Sequence, residues 1–173
     1  DDCEWFARVI FGETFGKANR HDAQYMFWAL VNRMGWGKRY WNMSIKDYFS
    51  TFSQPISKHW ARTGVHCRPG GKWSRKDPCN ENRLRRRDIA RGLPLKDFPA
   101  RIINLVNEFM EGKIPNPDPL ILDWFAGGMW KDKPYKGPGT PEKRAIKFVE
   151  GNAFIGYYNK NGTRLKTKRV RLI

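Results

Sequence analysis

The stretch "AQYMFWALVNRMG", residues 23–35, decides how the rest of the chain is read. Ala23, Met26, Phe27, Leu30, Val31 and Met34 recur three and four residues apart, the spacing of one face of an α-helix. The pattern predicts a helix over 22–34, with Asp22 as its N-cap and Gly35 as its stop. Just upstream, residues 2–14 read as a second helix with Trp5, Phe6, Val9 and Ile10 turned inward.

That first helix ends in "VIFGETFG", residues 9–16, where a single glutamate stands between two glycines. Trp5, Val9 and Glu13 fall four apart and share one helix face. A carboxylate on an apolar face is either paired with one of the chain's many arginines or held there for chemistry. Shielded by Trp5 and Val9, such a group would have its charged form disfavoured and would keep a proton to donate.

Outward from these helices, Ser44 and Asp47 form a capping-box pattern before a short helical turn through Phe49. Pro99 opens an amphipathic helix carrying Ile102, Leu105, Val106 and Phe109, closed by Gly112. "IPNPDPLI" is too rich in proline for regular structure. Thr140 and Pro141 read as the start of a last helix reaching Glu150, and Asn161-Gly162 marks a hairpin turn. Residues 53–98 are loop-rich, with 83–90 a candidate basic helix. The expectation is a mostly α (α+β) fold with a small β element, in one domain over 1–173.

The chain carries 33 Lys and Arg against 17 Asp and Glu, a net charge of +16 with pI near 10.1. It will associate with polyanions: nucleic acid, anionic lipid or a carboxylate-rich cell wall. The charge is densest in 83–91 and 164–171, and neither stretch is interleaved with aromatics as single-strand binders are. No apolar run has the length of a membrane span, and no secretory leader is visible. The first residue is Asp1 rather than methionine, so targeting is not legible from this end.

Of three cysteines, Cys67 and Cys79 bracket a Gly/Pro-rich loop that a disulfide would clip in an oxidising compartment, leaving Cys3 free. A zinc site from His59, His66, Cys67 and Cys79 lacks the usual paired spacing, so no metal and no cofactor are expected. There is no phosphate-cradling glycine loop, no metalloprotease His-Glu-x-x-His and no Ser or Cys beside a histidine as a nucleophile pair. Asp123, Trp124 and the glycines of "DWFAGGMW" could wall a pocket, the indole stacking on a sugar, or could simply be core. Gln54, beside Ser53, could bond a sugar hydroxyl or merely form a turn.

"ARVIFGETFG" followed by "AQYMFWALVNRM" resembles the opening of the SleB/CwlJ-type cell-wall hydrolases, where a glutamate ends the first helix and the next finishes in Val-Asn-Arg-like residues. The likeness continues in order. "YFSTFSQPIS" stands at that family's Gln-Phe-Ser loop, "VNEFMEGKIPNPDPLILDWFAGG" at its helix, turn and aromatic strand, and "FIGYYN" at its closing motif. Three departures stand out: Pro55 follows Gln54, the closing motif lacks a histidine, and 64–92 reads as an insertion.

The resemblance implies a lysozyme-like, lytic-transglycosylase-type helical domain acting on peptidoglycan, with Glu13 as catalytic acid and base. Ser53, Gln54, Trp124, Tyr157 and Tyr158 would line its cleft. Size and basicity look like a bacteriophage lytic enzyme, such as those of the enveloped double-stranded RNA phages. A monomer is expected, virion-associated or acting in the periplasm or outside the cell, with electrostatic contact to anionic envelope surfaces. Two rival readings stand beside it. One is a murein endopeptidase cutting the peptide cross-bridge; the other is a basic, non-catalytic nucleic-acid-binding protein.

Overall fold

The helix expected over 22–34 is longer at both ends. In the computed structural model, which describes residues 2–14, 17–52, 94–126 and 142–165, it is Arg20–Trp36. We number it α2, after α1 (Asp2–Thr14). Its N-cap is Asn19, whose side chain accepts from the Asp22 amide, so Asp22 lies inside the first turn instead of capping it. Nor does Gly35 stop it: the helix runs to Trp36 and the Gly37 amide closes the last turn on the Arg33 carbonyl. Glycine inside a helix costs only about 1 kcal/mol, which the buried face of α2 outweighs.

Among the described residues two further α-helices follow, α3 (Ile45–Phe52) and α4 (Ala100–Met110), together with an antiparallel sheet of β1 (Asp123–Ala126), β2 (Glu142–Val149) and β3 (Asn152–Tyr158) in the order β1-β3-β2. The fold is therefore α+β and mostly helical. Among the described residues no helix is long and apolar enough to cross a membrane. The chain divides into two compact units, one of residues 1–18 and 43–107, the other of 19–42 and 108–173.

In the first unit, α1 buries Phe6, Ala7, Val9, Ile10 and Phe11, and its first turn places Asp2 and Glu4 where the helix dipole favours acids. Phe6 meets Phe49 of α3 edge to face at 5.0 Å, and Phe11 meets Phe98 at 5.5 Å. Each buried aromatic contributes roughly 1.5–3 kcal/mol of transfer free energy. The Ser44 cap forms as expected: its hydroxyl oxygen accepts from the Asp47 amide at 3.0 Å, and α3 continues past Phe49. Pro99 offers its carbonyl to the Ile102 and Ile103 amides at the start of α4.

α4 is closed just past its end by Gly112, whose φ of +74° lets the Gly112 amide reach the Phe109 carbonyl and the Lys113 amide reach the Glu108 carbonyl. That pair of bonds is a Schellman closure, and only glycine takes this backbone without strain.

In the second unit, residues 113–121 have no regular structure, as their prolines predict, yet they are held throughout. Arg20, Gln24, Trp28 and Asn32, four apart on α2, each donate a side-chain N–H to backbone carbonyls of that segment. The acceptors are Lys113, Pro115, Ile114, and both Asp118 and Ile121. Asn116 donates back to Asn32 at 2.9 Å, so the polar groups of this buried asparagine are satisfied.

The helix expected from Thr140 to Glu150 does not form. Residues 142–149 are strand β2, and Thr140 and Pro141 lie outside the described residues. The spacing of Ala145, Ile146, Phe148 and Val149 fits helical periodicity, but the segment's branched and aromatic residues also suit a pleated surface, and pairing with β3 decides the outcome. A bulge between Ala145 and Lys147 explains why a two-residue alternation was not visible.

β2 turns into β3 through Glu150-Gly151, both at positive φ (49° and 82°), as a two-residue mirror-image turn requires. Residues 153–157 of β3 are all buried, so both its faces are covered. Beyond it, the Asn161-Gly162 turn forms, returning as a single bridge between Tyr158 and Arg164.

Candidate functional site

Glu13 sits in the last turn of α1, half-buried, between Gly12, which is buried, and Thr14, which like Glu13 is half-buried. Thr14 folds its hydroxyl back onto the Ile10 carbonyl at 2.6 Å, leaving it no free proton to offer a ligand. One turn before Glu13, Val9 is fully buried; two turns before, Trp5 is half-buried. The side of α1 that carries Glu13 is thus partly desolvated, as its residue spacing predicts. Trp5 is also the centre of a small cationic cluster. The Arg8 guanidinium lies 5.2 Å and the Lys46 ammonium 5.9 Å from its ring. Arg8 is in turn ion-paired with Glu4 one turn away.

Ser53 and Gln54, the other cleft residues expected near this unit, lie outside the described residues. So do His59, His66, Cys67, Cys79, the basic stretch 83–91 and the glycines after Ala126. Among the described residues no group of three or more His, Cys, Asp or Glu is arranged to hold a metal ion.

The remaining expected site residues are in the second unit. Trp124 of β1 is half-buried, registered opposite Phe154 of β3 with ring centroids 6.4 Å apart. Tyr158 is half-buried beneath the Arg144 guanidinium, 4.7 Å from its ring. Tyr157 does not line an open surface. It is 3% exposed, edge to face with Trp36 at 4.9 Å, in a cluster with Leu122, Ala153 and Ile155. The strand's alternation explains the split, since neighbours 157 and 158 point to opposite faces.

Among the described residues of this unit a charged cluster centres on a residue that the sequence marks only weakly. Asp123 is 8% exposed, and its Oδ2 is 2.8 Å from Arg33, 3.6 Å from Lys143 and 3.4 Å from the Tyr157 hydroxyl. Its other oxygen accepts from the Trp124 amide at 2.9 Å. Burial, first, and the neighbouring Asp123 charge push the Tyr157 phenol well above its ordinary range, so the hydroxyl stays a donor to the carboxylate. The arrangement binds α2, β1, β2 and β3 to one buried carboxylate. Asn32 and Arg33 of the "VNRM" motif are thereby organising residues, one holding the 113–121 segment and the other Asp123.

No protein-family model, curated protein or solved structure matches this chain.

Proposed function

We propose that the protein degrades peptidoglycan, cutting the glycan strand with Glu13 as the single acid–base residue. The observation that carries this reading is the place of Glu13: a half-buried carboxyl group in the last turn of an apolar helix, beside a glycine, on the side of the buried Val9. It is reinforced by the resemblance of this stretch and of α2 to the SleB/CwlJ-type hydrolases.

In the proposed step Glu13 gives its proton to the glycosidic oxygen as the C1–oxygen bond breaks, and the departing sugar leaves as an alcohol. The resulting carboxylate takes the proton of the 6-hydroxyl of the sugar that carries C1, and that oxygen closes on C1 to give a 1,6-anhydro ring. Glu13 ends protonated, ready for the next bond. A second carboxylate is not needed, unlike in the usual paired-carboxylate glycosidases. The net charge of +16 supports a carboxylate-rich wall as the partner. The protein would then act as a monomeric phage lytic enzyme, carried with the virion or released at the wall.

The test is clearing of purified peptidoglycan by wild type and by Glu13→Gln. Removal of the general acid should lower the rate roughly a hundredfold or more. Unchanged clearing would turn the reading toward cleavage of the peptide cross-bridge. An absence of clearing by wild type, with tight and steeply salt-dependent RNA or DNA binding, would turn it toward nucleic-acid binding.

A further inference from the structure

Two turns before Glu13 on α1, the half-buried indole of Trp5 lies under the Lys46 ammonium, at 5.9 Å from the ring centroid. The two cations at this ring differ. Arg8 is buried and already neutralised by Glu4. Lys46, in the first turn of α3, is exposed, and no acidic partner holds it among the described residues. An indole with an unneutralised ammonium beside it presents an apolar plate and a positive charge to one ligand. Apolar plates suit the hydrophobic face of a sugar ring, and the ammonium suits a carboxylate. Along the helix, Trp5 and Glu13 are separated by about 12 Å, so a polymer reacting at Glu13 extends over Trp5 if it follows the axis.

We infer that Trp5 and Lys46 form a recognition subsite of the Glu13 site for a peptide-bearing sugar unit of peptidoglycan, the sugar ring stacking on the indole and a carboxylate of its stem peptide meeting the ammonium. The inference rests on the function proposed above. Lys46 is a specificity residue here and takes no part in proton transfer. Arg8, paired with Glu4, also lies against the indole.

The experiment uses Glu13→Gln protein, which does not consume its ligand, in co-sedimentation with two peptidoglycan preparations. One is native and the other has its free carboxylates converted to amides. Lys46→Met should weaken binding to native material roughly three- to tenfold and leave binding to the amidated material unchanged. Trp5→Phe, which keeps an aromatic core contact, should weaken binding to both. Lys38→Met removes the same charge from an exposed position of the other unit and should have no comparable effect.

Equal losses for Lys46→Met and Lys38→Met would overturn the subsite in favour of general electrostatic attraction. Equal losses on native and amidated material would overturn carboxylate recognition. Neither result bears on Glu13, whose role is read separately from wild-type clearing. Failure of Glu13→Gln to slow clearing would remove the catalytic reading even where the Lys46 effect is seen.

Discussion

Arg33 and Asp123 meet at 2.8 Å inside the second unit, with 13% and 11% of their side chains exposed. A buried carboxylate is expensive unless it is paired and hydrogen-bonded. Asp123 is both, through Arg33, Lys143, Tyr157 and the Trp124 amide. Removing it leaves two cations close together in a partly buried site. Asp123→Ala should therefore cost about 3–5 kcal/mol, read as a lowered urea midpoint at constant slope. A loss below about 1 kcal/mol would place the cluster among exposed surface pairs instead.

Asp22 gives a pH prediction of defined sign. Burial, the largest influence, lifts its carboxyl above the ordinary 3.8, partly offset by the Asn152 side-chain bond. The folded chain therefore holds this proton to higher pH than the unfolded chain, and stability falls as pH rises through the window above 3.8. Asp22→Asn should be more stable than wild type near neutral pH. The advantage should shrink to nothing as pH falls through that window, as denaturation at matched pH values will show. A variant less stable than wild type at neutral pH would mean that ionised Asp22 is favoured by the N-terminus of α2, against this account.

Gly156 is the tight point of the sheet. A Cβ there would come within 2.4 Å of Ile146 Cδ1 and 3.1 Å of Arg164 Nε. Ile146 is the bulged residue of β2, so the bulge aims its side chain across the missing Cβ. Gly156→Ala should cost about 1–3 kcal/mol, and Ile146→Val in the same chain should recover part of it by removing the clashing methyl. An additive double variant would show that the two side chains do not meet.

These sites also mark what could be read in advance. α1, the core of α2, the Ser44 cap, the Pro99 start and the Gly112 end were legible because each rests on local chemistry within one turn. β2 was not, because its apolar spacing fits either periodicity, its bulge breaks the alternation, and only pairing with β3 selects strand. The Glu150-Gly151 turn was hidden because its first position, usually Asn, Asp or Gly, is a glutamate.

The same limit applies to the site. The spacing that placed Glu13 on the desolvated side of α1 is local. The Asp123 cluster draws Arg33, Lys143 and Tyr157 from three other elements, and no local spacing links them. Lys46 could not be tied to Trp5 for the same reason. Tyr157 was expected at a surface because an aromatic pair reads alike whichever member faces inward.

The most direct measurement is mass spectrometry of the fragments released from purified peptidoglycan by wild type and by Glu13→Gln. Wild type should release soluble muropeptides ending in 1,6-anhydro sugars, and the variant none. New free amino groups on intact glycan strands, released equally by both proteins, would contradict glycan cleavage by Glu13.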